Sequence, residues 1–481
     1  MILDPHKYRE LIEAALPAEM FDADTLPPSS RTLFTPRSHR DALMPDKTIV
    51  EGGRGVGKTY WTQCLLNERL RATAARELSL PALTELQVSP GFGAEFDSAS
   101  YPSAGQLGEL LESGHDPRDV WLAVVLNALA DQAVRSAPTW SAKVDLVKSS
   151  QGRAELGLEQ ANRQLRDDGR THLVVFDALD HLHRDRQQTD RLVRGMLEVA
   201  TMLRLSTRNI RVKVFIRPDM ISDRIFQFTD ASKLASRASL RWTPTNLYGL
   251  FFHYLGNADS EWAESFRATA DEWVPADDGR WVTPTAYAND AIKQQDLFVQ
   301  IAGEFMGANY RKGRTYTWLP NHLMDGTEQV SPRSFLAALS RAVQTTGNEH
   351  DAHPYAIHHE GLRRGVQFAS EIRVKEVGED IPWVRTLAAP LEGLQVPIEP
   401  DAVISAWKEK GIGADLLAAS SVDSPRTGPT DPHRPQRLVE DLVELGVMRR
   451  RTDGRLDMPD VYRIAFRIGR KGGVPKLKRP A

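Results

Sequence analysis

Residues 52–59, GGRGVGKT, fit the pattern G-x-x-x-x-G-K-[ST] and constrain the fold more than any other stretch of the chain. The glycines let a backbone curl until several N–H groups converge, and a helix starting just after the last one adds its partial positive charge. A loop of this kind needs a strand before it and a helix after it. The flanks supply both, with apolar TIV ahead and WTQCLLNERL behind. The loop and first helical turn, Gly52, Gly53, Arg54, Gly55, Val56, Gly57, Lys58, Thr59 and Tyr60, are thus predicted to bind phosphate groups. Lys58 would pair with the β and γ phosphates of a nucleoside triphosphate, and the Thr59 hydroxyl would ligate Mg²⁺.

Such a site needs a carboxylate from a second strand. The run THLVVFDALD is apolar enough for a strand buried on both faces, and it ends at Asp177. Asp177 is the metal-side candidate. Asp180, three residues on, has two readings: it polarises the attacking water, or it caps the following helix. A second apolar run, IRVKVFIRPD, ends at Arg217. Arg217 either senses the γ-phosphate at the carboxyl edge of the sheet or forms a salt bridge with Asp219 or Asp223. Farther on, SPRSFLAALSRA places Arg333 at a helix start, as a nucleotide-sensing arginine or a solvated one.

At 481 residues the chain has room for about three domains. The pattern divides it into an N-terminal arm (1–40), an α/β P-loop core with a mostly parallel sheet (41–240), a helical lid (241–385), and a winged-helix domain with a basic tail (386–481). Within the core, 79–118 reads as an irregular insertion or long loop. The ending RLVEDLVELGVMRRRTDGRLDMPDVYRIAF gives an amphipathic helix, a strand, an Asp-Gly turn and another strand. The single cysteine, Cys64, excludes an intrachain disulfide and a zinc knuckle, which suits a reducing, cytoplasmic setting. The most apolar window, WLAVVLNALA, is far too short to span a membrane and reads as a buried helix. His350, His353, His358 and His359 are irregularly spaced around Pro354, and a polar surface loop accounts for them better than a metal site.

The combination of GGRGVGKT, VVFDALD, KVFIRPD, the SPRSF helix and a terminal helix with hairpin resembles the STAND and ORC/CDC6-like branch of P-loop ATPases, which is related to the AAA+ class. Bacterial members include ATPases of phage-defence and mobile-element loci. The resemblance spans roughly residues 40 to 475. It implies ATP and Mg²⁺ as cofactors, an ATPase activity, and nucleotide-dependent changes in domain angle and oligomeric state. STAND proteins often read DD-x-D after the second strand. Here the second position is Ala178, so the resemblance carries nucleotide binding further than hydrolysis. No effector domain or repeat sensor accompanies the core, so a switch of this kind implies a separately encoded effector or sensor. The alternative within the same resemblance is a DNA-binding initiator or loader.

Net charge is −3, from 61 Lys+Arg against 64 Asp+Glu, which excludes a uniformly basic nucleic-acid coat. The balance is uneven. Residues 449–479 hold eleven Lys/Arg and three Asp, a local excess of +8, which leaves the rest of the chain at −11. Arg449, Arg450, Arg451, Arg470, Lys471, Lys476 and Lys478 are the candidate contacts to duplex DNA. Docking of the same segment on the acidic body or on a partner subunit stays equally open.

Overall fold

The computed structural model describes residues 3–21, 27–149, 151–270, 272–416 and 428–470. The chain divides into two units. One contains Arg37–Leu240; the other gathers the described parts of Met1–Pro36, Arg241–Val422 and Pro429–Ala481.

The first unit is α/β. Its sheet has five strands, β1 (Ile49–Glu51), β2 (Leu86–Phe92), β3 (Thr171–Phe176), β4 (Ile210–Ile216) and β5 (Ala238–Ser239), in the order β2-β3-β4-β1-β5. Every pairing is parallel, with Val174 opposite Val212 and Ile49 opposite Val214. A parallel sheet is covered on both faces, so its central strands can be apolar throughout. Leu173, Val174, Val175 and Phe176 of β3 and Val214, Phe215 and Ile216 of β4 are buried accordingly. Residues 121–128 of the window WLAVVLNALA lie in the buried helix Pro117–Ala128, where Trp121 Nε1 donates to Leu192 O of the helix Arg186–Ser206 at 2.8 Å. No helix among the described residues is long and apolar enough to cross a membrane.

The stretch 79–118 departs from the irregular loop expected of it. It contains edge strand β2 and a helix, Ala104–Glu112, which opens with a reciprocal capping box between Ser103 and Gln106. Pro90 and Gly91 interrupt the strand pattern in sequence. An edge position tolerates them, because the missing proline N–H need not face a neighbour and the register with β3 shifts at that point.

The second unit is mostly helical and has two cores. In the larger, the N-terminal helix Pro5–Ala15, capped by Asp4, buries Tyr8, Leu11 and Ile12 among residues of the helices Pro244–Gly256, Pro332–Glu349 and His359–Asp380. The opening residues, read as an arm leading into the α/β core, thus supply core side chains to the helical unit. The smaller core joins Pro382–Ala388, Pro400–Lys410 and Pro435–Glu444 to a hairpin formed by Arg449–Arg450 and Leu456–Asp457. Gly454 takes φ +84° in the hairpin turn, as the Asp-Gly pair in the sequence requires.

Candidate nucleotide site

In a parallel sheet all strands end on the same edge, and the order β3-β4-β1 puts three chemistry-bearing tips side by side at strand spacings of about 4.8 Å. β1 runs into the phosphate loop, β3 ends at Asp177, and β4 ends at Arg217. Gly52 N–H extends the ladder by donating to Ile216 O at 3.0 Å, and then the chain turns. Gly52 cannot carry a side chain here, since a Cβ would lie 2.8 Å from Val56 Cγ2. Gly57 takes φ +98° immediately before the helix Lys58–Leu66. Val56 is buried. The helix is fixed by Trp61, buried with its Nε1 donating to His39 Nδ1 at 3.0 Å, and Tyr60 packs edge-on against Trp61.

The sequence-predicted residues converge. Lys58 Nζ folds back over the loop and donates to Gly52 O at 3.1 Å and Gly53 O at 2.9 Å. Burial lowers the ammonium pKa, opposed by the charges of Asp177, Asp180 and Asp219. Asp177 is 2% exposed and its backbone N–H donates to Phe92 O of β2 at 3.0 Å. Burial raises its carboxyl pKa against the pull of Lys58 and hydrogen bonds from the Thr59 side chain and the Ala178 backbone. Its Oδ1 is buried with no hydrogen-bond partner among the described residues. A buried carboxylate oxygen beside a threonine hydroxyl and a lysine is a donor set suited to a hard cation such as Mg²⁺, bound together with phosphate oxygens. The residues therefore fit a magnesium nucleotide.

Asp180 stands on a short 3₁₀ turn, Leu179–His181, reached through Ala178 in the left-handed region at φ +55°. That turn brings the two acids to one edge. Asp180 Oδ2 lies 3.5 Å from Arg217 Nη1 and 3.9 Å from Arg54 Nη2. Burial works to raise its pKa, but the charges of Arg217, His181 and Lys58 hold it below the ordinary carboxylate value. Arg217 also grips Asp219 bidentately, at 2.9 and 2.7 Å. Arg186 completes this corner by donating to Asp219 O at 2.8 Å, a role with no signal in the sequence, since the pairing spans 33 residues.

Arg333 belongs to the helical unit. It begins the helix Pro332–Glu349, pairs with Glu376 at 3.1 Å and donates to Phe21 O at 2.7 Å. The C-terminal arginines divide into two kinds. Arg449, Arg450 and Arg451 project from the hairpin with half-exposed side chains and pair with Glu328 and Asp457, with Glu440, and with Asp453 respectively. Arg470 reaches inward to the buried acids Asp457 and Asp460 and to Met458 O. Lys471, Lys476 and Lys478 lie outside the described residues. The histidine rings pack against one another at tilted and edge-on angles, with His350 and His358 centroids 3.9 Å apart, and no group of three or more His, Cys, Asp or Glu among the described residues could hold a metal ion.

The chain matches no protein-family model and no curated protein. Among solved structures it is similar to the Aeropyrum pernix ORC1 protein in complex with DNA, at 13% identity and TM-score 0.34 over 93% of each chain. It is likewise similar to the Aeropyrum pernix ORC2 protein in ADPNP–ADP complexes, at 14% identity and TM-score 0.32 over 92% of this chain and 93% of that one.

Proposed function

We propose that this chain is a P-loop ATPase that binds Mg-ATP at the carboxyl edge of the parallel sheet and uses it to control assembly with a partner. The observation that carries the reading is the grouping of Lys58, Thr59 and Asp177. A loop lysine, a helix-start hydroxyl and a buried strand-tip carboxylate come from segments more than a hundred residues apart and meet at one edge. Lys58 and the loop N–H groups would neutralise phosphate charge, and Thr59 and Asp177 would hold Mg²⁺. When bound, the metal supplies Lewis-acid neutralisation of the phosphate oxygens. Asp180 is the carboxylate placed to orient a water once its arginines turn to phosphate, with Arg217 as a sensing arginine at the neighbouring tip. The test is calorimetry of Mg-ATP with the full chain and its Lys58→Ala variant. Loss of binding in a folded variant supports the site, and unchanged affinity refutes it.

The partner has two readings. A separately encoded effector, as in defence or mobile-element switches, follows from the motif resemblance alone. A DNA-associated initiator or loader is favoured by one structural observation: the hairpin of the helix-plus-hairpin end, read as a winged helix, presents Arg449, Arg450, Arg451 and Arg455 with side chains 39–45% exposed. Surface ion pairs of this kind are worth little and exchange readily for phosphates. Titration with duplex DNA at two salt concentrations decides the matter. Steep salt dependence supports the DNA reading, and absence of binding supports a protein partner.

A further inference from the structure

Each cation of the nucleotide site is held by the chain's own acceptors, and the contacts are of unequal quality. Arg217 gives Nε and Nη2 to Asp219 at 2.9 and 2.7 Å, a short bidentate geometry. Its remaining Nη1 reaches Asp180 at only 3.5 Å, and Arg54 reaches the same Asp180 oxygen at 3.9 Å. Asp180 is therefore shared by guanidinium groups following two strand tips, β1 and β4, and satisfies neither at close range. With Arg54 13% and Asp180 17% exposed in their side chains, water screens these long contacts only partly, so the charges still attract.

Arg54 is the third residue of the phosphate loop. Its Nη2 lies 3.9 Å from Asp180 Oδ2, among the strand-tip acids, and the part of a bound polyphosphate farthest from the nucleoside would lie at that edge. A phosphate group offers more negative charge than a carboxylate and accepts a guanidinium fork on two oxygens. We infer that Arg54 reads the terminal phosphate of the nucleotide, and that Asp180 holds Arg54 in the place of that phosphate until a triphosphate draws it away. Asp180 is then a competitor for Arg54, and the exchange sets the preference for triphosphate over diphosphate. The inference rests on the Mg-ATP reading of the site and adds to it a residue that discriminates nucleotide states.

Calorimetry of the full chain with Mg-AMPPNP and with Mg-ADP tests it. Arg54→Ala is expected to weaken AMPPNP by about tenfold or more, the loss of a charge-assisted contact, while ADP changes by less than about threefold. Asp180→Asn is expected to raise the AMPPNP preference over ADP by about threefold or more, and to lose that effect in the Arg54→Ala background. Equal losses for both nucleotides in Arg54→Ala, or an unchanged preference in Asp180→Asn, overturns the inference. If Arg54→Ala does not fold, Arg54→Gln, which keeps the length and an amide but not the charge, takes its place under the same criteria. Lys58→Ala separates the two levels: retained binding of both nucleotides refutes the site itself, whereas lost binding with an unmoved preference in Asp180→Asn refutes only the role of Arg54.

Discussion

Thr59, in the first turn of the helix after the phosphate loop, sets its side chain beside Asp177 at the tip of β3 and pulls that carboxyl's pKa down against the effect of burial. The two residues are 118 positions apart, and the contact brings a hydroxyl beside a carboxylate whose Oδ1 is buried without a hydrogen-bond partner among the described residues. A pair built this way should act on the metal rather than on the nucleotide directly. Asp177→Asn is expected to leave ATP affinity in EDTA nearly unchanged and to abolish the gain on adding Mg²⁺, with apparent Mg²⁺ affinity falling at least about tenfold, since even outer-shell partners of a metal are worth that much. A full Mg²⁺ gain in this variant, measured by competition titration, would remove Asp177 from the metal side.

Lys213 lies on β4 with none of its surface exposed, yet it stands outside the candidate nucleotide site. Its Nζ donates to Ala42 O at 2.7 Å, Met44 O at 3.0 Å and Lys47 O at 2.8 Å, satisfying carbonyls where the short helix Arg40–Leu43 turns into β1. Removing it strands three acceptors in the interior. Lys213→Met should destabilise the α/β unit by about 3 kcal/mol, and hydrogen exchange should accelerate first in Arg40–Leu43 and along β4. Wild-type protection in both segments would show that the carbonyls find other partners.

Each unit buries a neutral histidine. His172 of β3 shares a hydrogen bond with Ser89 at 3.0 Å, and burial lowers its pKa to about 4. His253 sits between Thr283 and Arg31 O, and burial together with the Arg280 charge lowers its pKa to about 3. Both are depressed below 6.5, so the unfolded chain binds the extra protons and stability falls as pH drops through 6.5 toward the folded values. Between pH 7.5 and 5.0 each should cost roughly 2 kcal/mol. Urea denaturation at the two pH values should show the loss, and His172→Gln should remove its share in the α/β unit. An equal pH effect in that variant would refute the assignment.

How far the sequence could be read depended on the range of each interaction. The phosphate loop and the strand–loop–helix around it were legible because glycine placement and a helix start act within a few residues. Asp177 was legible because a strand buried on both faces announces its own end. The edge strand β2 was hidden by Pro90 and Gly91, which only its edge position excuses. The destination of the N-terminal helix was hidden as well, since the partners of Tyr8 and Leu11 lie over two hundred residues away. The sequence also showed that Ala178 replaces an acid, but not that its backbone turns at φ +55° to bring Asp177 and Asp180 to one edge.

The C-terminal excess of arginine reads in sequence as one basic surface, and the structure separates it by depth. Asp457 and Asp460 are 3% and 4% exposed, and Arg470 pairs with both, at 3.0 Å to Asp460 Oδ1, while Arg463 holds Asp460 at 2.6 Å. Removing one partner from a buried ion network leaves an uncompensated charge, so Arg470→Ala should cost about 3 kcal/mol in the helical unit. Among the described residues Arg451 pairs with Asp453 across 3.9 Å at the exposed hairpin turn, and its removal should change stability by less than about 0.5 kcal/mol. The two variants therefore separate contact from folding. If the hairpin binds duplex DNA, Arg451→Ala should weaken binding and reduce the logarithmic salt slope by about one while the denaturation midpoint stays fixed. In Arg470→Ala any loss of DNA binding should track the fraction unfolded and vanish at temperatures where the variant is native. A salt slope reduced in native Arg470→Ala and unchanged in Arg451→Ala would reverse the division and place the phosphate contact at the inner arginine.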